Sequence, residues 1–114
     1  MDYKKELVSK LKSLIVCKEG NIYTEEIEIQ PMSFIQLRDK LIGKGTILDE
    51  DFEKQIYTIN IMSGFANQNT ATIAIKLTGN KLELAGYARE GIIKQHTVEK
   101  AVKILKTNFL IKYI

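Results

Sequence analysis

Residues 55–87 read QIYTINIMSGFANQNTATIAIKLTGNKLELAGY, and this stretch decides the predicted fold. Three segments within it, 55–62, 70–77 and 81–87, alternate apolar with polar side chains, which is typical of strands with one buried face. Thr78-Gly79-Asn80 provides a tight hairpin turn between the last two segments. Residues 63–69 form a longer polar loop between the first two. The stretch therefore predicts an antiparallel meander of three strands.

A fourth strand is predicted before the meander, over residues 22–29. Ile27 and Ile29 point to one side of this strand, and Glu26 and Glu28 point to the other. One face of the strand is therefore expected to be wet, and the strand itself is a candidate for the edge of the sheet.

Three helices complete the predicted fold, at 3–17, 34–42 and 98–111, where apolar residues recur at helical spacing. Ser33 and Gln36 form a capping box at the start of the second helix, and Thr97 is the expected cap of the third. The order α-β-α-β-β-β-α predicts an α+β fold in which the helices pack on one face of a four-stranded antiparallel sheet.

Length and composition favour one globular domain over residues 1–114. The single cysteine, Cys17, excludes an intramolecular disulfide and a cysteine-rich zinc site, and it fits a reducing, cytoplasmic compartment. Residues 1–17 do not form a signal peptide, because Lys10 and Lys12 interrupt the apolar positions. No run approaches the roughly 20 apolar residues of a membrane span.

Charge is unevenly distributed along the chain. The net charge is +3 over residues 1–18, −6 over 19–53, +2 over 54–93 and +4 over 94–114. Basic ends and an acidic middle can orient a charged partner. The same distribution also arises when charged residues only solvate the outer faces of helices.

Motifs for catalysis and metal binding give little support for an enzyme. The chain has no Walker loop, no GxGxxG, no CxxC and no HExxH. Cys17 with His96 is a candidate nucleophile and base, but a cysteine at the end of an amphipathic helix is usually a small apolar filler. Asp49, Glu50, Asp51 and Glu53 crowd a predicted loop whose spacing is not that of an EF-hand. We expect no catalytic residue, no cofactor and no metal.

One family resemblance covers residues 30–110. Gln30-Pro31-Met32-Ser33-Phe34-Ile35 is similar to the entry into the first helix of the double-stranded-RNA-binding domain, and Tyr57-Thr58-Ile59-Asn60 is similar to its first strand. The small apolar positions of its last helix are matched by Val98, Ala101, Val102 and Leu105. The resemblance implies an α-β-β-β-α order and binding to duplex RNA by shape. Where that family has a lysine pair, this chain has Lys94, Gln95 and His96.

The sequence therefore leaves two functional hypotheses, and the favoured one has another protein as the partner. The first is a non-catalytic protein-interaction module, of the adaptor, inhibitor or immunity type, that acts through Glu26 and Glu28 on a charged sheet edge or face. The alternative is binding of duplex RNA or DNA by the basic last helix, through Lys94, His96, Lys100, Lys103 and Lys106. A small-molecule site between sheet and helices stays open by analogy with similar folds.

Overall fold

The computed structural model describes residues 3–17, 22–63, 69–89 and 96–109. These residues form α1 (Tyr3–Leu14), β1 (Tyr23–Glu28), α2 (Phe34–Leu41), β2 (Thr46–Asp51), β3 (Ile56–Ser63), β4 (Asn69–Thr78), β5 (Lys81–Ala88) and α3 (Thr97–Phe109). The predicted α+β class is confirmed. Within the described ranges, no helix is long and apolar enough to cross a membrane.

The strands form one antiparallel sheet with the spatial order β1-β5-β4-β3-β2. Strands β3, β4 and β5 are consecutive neighbours, so the predicted meander is confirmed. The register places Ile59 opposite Ile73 and Ile75 opposite Leu84, which aligns the apolar positions on one face. Gly79, with φ at 58°, occupies the first central position of the β4–β5 turn. A glycine adopts this backbone conformation without the steric penalty of a side chain.

A fifth strand lies where the sequence predicted an acidic loop. Asp49, Glu50 and Asp51 belong to β2, and only Glu53 lies in the turn that follows. Carboxylates are rare in strands, so local propensity argued against this element. The strand forms because it pairs with β3 and because Lys10 of α1 binds two of its carboxylates. Residues 30–110 therefore contain one strand more than the family resemblance implies.

The helices cover both faces of the sheet, and the prediction that they share one face was wrong. Helices α2 and α3 pack on the face that carries the large apolar residues of the meander. Helix α1 lies on the opposite face, against β4 and β5. Its buried residues contact Ile56, Ala74 and Ala85, which occupy the alternate positions of the strands. Because these residues are also apolar, the sheet has a second core.

The capping box of α2 is confirmed. The Gln36 backbone N–H donates to Ser33 Oγ at 3.1 Å, and the Ser33 N–H donates to Gln36 Oε1 at 2.8 Å. Phe34, the first residue of α2, stacks on Tyr57 with ring centroids 3.9 Å apart. The buried Tyr57 hydroxyl also donates to the Phe34 carbonyl at 2.7 Å. These contacts fix the start of α2 against β3.

Helix α3 crosses the sheet at Gly86. A Cβ at this position would lie 2.5 Å from Val98 Cγ1, so the close approach depends on the missing side chain. The helix begins at Thr97, because the Lys100 N–H donates to the His96 carbonyl at 3.0 Å. His96 therefore takes the cap position that was predicted for Thr97.

The other boundaries differ from the prediction by one to three residues. Helix α1 ends at Leu14 rather than at residue 17, and α2 ends at Leu41 rather than at residue 42. Residues 110 and 111 of the expected last helix lie outside the described residues, as do residues 64–68 of the expected polar loop. Such shifts at the ends of elements leave the topology unchanged.

Candidate functional site at the outer edge of β1

Strand β1 is one of the two outermost strands of the sheet. It pairs with β5 in an unbroken register from Tyr23 opposite Gly86 to Glu28 opposite Lys81. The other edge strand, β2, is interrupted by a bulge between Ile47 and Asp49. A bulge in an edge strand disfavours pairing with a further strand. The regular, unbulged edge of this sheet is therefore β1.

The backbone groups on the outer side of β1 can be assigned from one hydrogen bond. The Ile29 N–H donates to the Asn80 carbonyl at 2.8 Å, and the β1–β5 register places these residues opposite each other. Antiparallel pairs alternate between residues that exchange both backbone bonds and residues that exchange neither. Every second residue from Ile29 toward the N-terminus therefore forms its backbone hydrogen bonds with β5. The N–H and C=O groups that point outward belong to Thr24, Glu26 and Glu28.

A second hydrogen bond at the far side of the meander gives the same assignment. The Leu77 N–H donates to the Gln55 carbonyl at 3.0 Å, in continuation of the β3–β4 register. Alternation across β4 and β5 then turns the backbone groups of Leu82, Leu84 and Gly86 toward β1. These residues lie opposite the β1 residues already assigned as inward-bonding.

The side chains of Glu26 and Glu28 lie on the α1 face of the sheet and are exposed, whereas Ile27 is buried. The predicted alternation of this strand is therefore confirmed, and so is its place at an edge. Glu26 is 48% exposed and lies 3.4 Å from the Lys81 ammonium. It also sits directly opposite Glu83. Glu83 is buried and accepts a hydrogen bond from the Thr78 hydroxyl at 2.7 Å.

Glu25 lies on the other face, where its carboxylate accepts a hydrogen bond from Tyr23 and pairs with Lys106 of α3. Burial raises the pKa of Glu25, but the bonds to Lys106 and Tyr23 and the Lys106 charge outweigh it, so the pKa lies below its ordinary value. The bond to Glu25, together with burial, raises the pKa of Tyr23 to about 12. Sequence reasoning missed this cluster, although a glutamate on the Ile27 side of the strand signals a buried charge that needs a partner.

The basic residues predicted for nucleic acid do not form one uniform surface. Lys100 and Lys103 are exposed. Lys106 is half-buried against Glu25, and His96 Nδ1 lies 2.8 Å from a Glu99 carboxylate oxygen. Lys94 lies outside the described residues. Two of the four described members of this set therefore contact carboxylates.

The other candidate side chains are placed apart or engaged in ion pairs. Cys17 packs against the α1 core, whereas His96 begins α3 on the opposite side of the sheet. Asp49 and Asp51 hold the Lys10 ammonium at 3.2 and 2.9 Å, and Arg38 Nε lies 2.8 Å from Glu50. Across the described part of the chain, no group of three or more histidine, cysteine or acidic side chains is placed to hold a metal.

Among the described residues, the surface hollows include two near these elements. One, of about 260 Å³, lies beside α1 and is lined by Glu6, Ser9, Lys10, Ser13, Lys54 and Ile56. The other, of about 380 Å³, lies between the β1–α2 connection and α2. Neither contains the Cys17 or His96 side chain that was considered for catalysis.

In comparisons with known proteins, the chain matches no protein-family model, no curated protein and no solved structure.

Proposed function

We propose that this chain is a non-catalytic protein-interaction module in which the outer edge of β1 accepts a strand from a partner protein. The observation that carries the proposal is the row of outward backbone groups at Thr24, Glu26 and Glu28 on a straight, outermost strand. Added strands gain affinity from main-chain hydrogen bonds and specificity from the side chains at alternate positions. The single cysteine fits a reducing compartment, which supports a cytoplasmic partner.

The contrast with the opposite edge supports this choice of surface. On β2, the bulge leaves Leu48 exposed, and Glu50 is paired with Arg38. On β1, the exposed carboxylate of Glu28 extends from the same backbone that offers the outward groups. Charges on an edge suppress pairing with unselected strands, and they favour a partner of opposite charge. The β1 edge thus combines pairing capacity with selectivity.

Capture of a partner by edge variants tests the proposal. The tagged chain is used to capture proteins from a lysate of its source cells, next to Glu26→Pro and Glu26→Ala. Proline removes the outward N–H of Glu26 without removing a bond to β5, and edge strands tolerate it where the N–H faces solvent. Alanine removes the same side chain but keeps the N–H. Thermal melts establish that each variant is folded.

We expect a stoichiometric protein on the wild-type chain, a weaker band with Glu26→Ala and none with Glu26→Pro. Amide exchange measured by NMR adds a second readout. The N–H groups of Thr24, Glu26 and Glu28 exchange fast in the free chain and become protected in the complex, whereas those of Glu25 and Ile27 are protected in both. Equal capture by wild type and Glu26→Pro, with no new protection, refutes strand addition at β1.

Binding to nucleic acid is tested on the same material. Duplex RNA and duplex DNA are titrated at two salt concentrations against the wild-type chain and a Lys100→Glu/Lys103→Glu variant. Phosphate contacts make affinity fall steeply with salt. Binding that follows this rule and is lost in the double variant would favour the last helix as the functional surface. The edge proposal expects no such binding, and it expects the double variant to capture the protein partner normally.

A further inference from the structure

We infer that the strand that docks on β1 is basic, with lysine or arginine at the two alternate positions opposite Glu26 and Glu28 and an uncharged residue between them. This inference rests on the proposed edge-docking function and names the chemistry of its partner. Residues directly opposite each other in neighbouring strands project to the same face. Partner side chains opposite Glu26 and Glu28 therefore lie on the α1 face, beside the two exposed carboxylates.

The charge on this face of the edge favours an incoming cation. Across β1 and β5 it carries three carboxylates, those of Glu26, Glu28 and Glu83, and one ammonium, that of Lys81. Glu26 and Glu83 are directly opposite each other, an arrangement in which like charges destabilise the pair. Lys76 of β4 lies opposite Glu83, but its ammonium forms an ion pair with Glu6 of α1. A cation placed next to Glu26 therefore relieves a repulsion that exists before binding.

The other face of the edge favours an uncharged residue. Glu25 already contacts Lys106 and Tyr23, and Ile27 is buried. A second cation here would compete with Lys106 for one carboxylate, and an acid would be repelled by it. The position between the two basic residues faces this side of the sheet, so it is uncharged.

Self-pairing of β1 is opposed by charge in the two registers that bring the edge glutamates of two copies together. Antiparallel pairing of β1 with another β1, centred on Glu26, would place Glu26 opposite Glu26 and Thr24 opposite Glu28. A shift of the centre to Ile27 would instead place Glu26 opposite Glu28. Like charges opposite each other are destabilising, so the same carboxylates that attract a basic strand oppose self-association.

Matched synthetic peptides test the inference. TVTKVKTVT carries two lysines on one face of an extended strand, TVTVKKTVT has the same composition with adjacent lysines, and TVTQVQTVT is neutral. Each is titrated by NMR, with the amides of Thr24, Glu26 and Glu28 as reporters. Two exposed ion pairs together change affinity by about 2- to 30-fold, so we expect TVTKVKTVT to bind tighter than TVTQVQTVT by that factor, and TVTVKKTVT to lose part of this preference.

Variants of the chain separate charge from strand pairing. Glu26→Gln/Glu28→Gln is expected to remove the preference for TVTKVKTVT, whereas Glu53→Gln, an exposed acid in the β2–β3 turn, keeps it. Glu26→Lys/Glu28→Lys is expected to prefer TVTEVETVT. Glu26→Pro is expected to abolish the amide shifts with every peptide.

The outcomes distinguish failure of the inference from failure of the proposed function. Equal binding of TVTKVKTVT and TVTQVQTVT, both sensitive to Glu26→Pro, overturns the basic partner and leaves edge docking in place. Peptides that shift none of the three reporter amides overturn both. Binding of TVTKVKTVT that is unchanged by Glu26→Pro also overturns both, because it shows attraction by charge without strand pairing.

Discussion

Replacement of Gly86 by alanine tests how closely α3 is seated on the sheet. The added Cβ would lie 2.5 Å from Val98 Cγ1 and 3.2 Å from Ile73 Cγ1. Carbon atoms in contact are about 3.5–4.0 Å apart, so the overlap with Val98 is about 1.0–1.5 Å. Val98 is buried on α3, and a β-branched side chain in a helix has one strongly preferred rotamer. The helix itself therefore has to move.

Two opposing effects set the magnitude. Overpacking of a core costs about 1–3 kcal/mol, and the stiffness of Val98 favours the upper half of that range. Alanine regains about 0.5–1 kcal/mol relative to glycine in a strand, because its unfolded chain is less free. We therefore expect Gly86→Ala to lower the free energy of unfolding by about 1–2.5 kcal/mol, equivalent to a Tm lower by about 4–15 °C.

A double-mutant cycle identifies the contact responsible. Urea unfolding followed by circular dichroism is measured for Gly86→Ala in the wild-type and Val98→Ala backgrounds. Val98→Ala removes the overlapping methyl, so Gly86→Ala should be neutral or stabilising there. Gly43→Ala is the control, because its φ of 92° penalises a side chain although no atom lies within 4 Å, and its effect should be the same in both backgrounds. An equal loss for Gly86→Ala in both backgrounds would refute the close seating of α3.

Three further predictions concern hydrogen bonds and protonation. Tyr57→Phe should lower the free energy of unfolding by about 0.5–1.5 kcal/mol, because the Phe34 carbonyl loses the hydrogen bond that the Tyr57 hydroxyl donates; urea unfolding measures the difference. Glu25→Gln should lower the pKa of Tyr23 from about 12 toward the ordinary tyrosine value, as followed by the ultraviolet absorbance of the phenolate. Because the pKa of Glu25 is lowered in the folded chain, its contribution to stability should be present at neutral pH and lost as pH falls below the ordinary glutamate pKa of about 4.3.

Each of these predictions has its own control. A Tyr57→Phe chain as stable as the wild type would mean that the hydroxyl bond contributes nothing. Tyr23→Phe identifies which part of the phenolate absorbance belongs to Tyr23, and an unchanged pKa in Glu25→Gln would contradict the assigned cause. Stability is measured against pH for the wild type and Glu25→Gln. If both lose stability equally in acid, Glu25 is not responsible, and Asp51, whose pKa is also lowered, becomes the next carboxyl to test.

Local patterns in the sequence were enough to predict much of the fold. The capping box of Ser33 and Gln36 depends on residues three positions apart, and it located the start of α2. The alternation within 55–87 likewise located three strands and their pairing. In each of these cases, the physical cause of the element lies within the segment itself, or within a hairpin that joins neighbours.

The features that the sequence did not reveal have causes that lie far apart in the chain. Strand β2 is a run of acids that becomes a strand because β3 pairs with it and because Lys10 of α1 neutralises part of its charge. The opposite placement of α1 follows from small apolar residues such as Ala74 and Ala85 at positions that alternation assigned to solvent. Lys106 was a candidate contact for nucleic acid on the basic last helix, yet it forms an ion pair with Glu25 of β1. Periodicity within one segment carries no information on such pairs.

The edge site was anticipated in part. The sequence identified Glu26 and Glu28 as exposed and the strand as a candidate edge. In a half-buried strand that alternates glutamate with isoleucine, the isoleucines face the core and the glutamates face solvent. Which backbone groups face outward depends on the register with β5, and this is set by the position of Asn80 opposite Ile29. A single sequence does not determine that register.

Among the described strands, the pairing of β1 with β5 joins the first in the sequence to the last. During synthesis, β1 (Tyr23–Glu28) therefore lacks its partner in the sheet until β5, which ends at Ala88, has been made. Helix α1 likewise lacks the strands on which it packs, β4 and β5, until they have been made. Non-local pairing of this kind slows folding, because a long loop has to close before the contacts form. Charged side chains disfavour pairing between exposed strand edges, so Glu26 and Glu28 should also limit association of β1 with other chains while β5 is still missing.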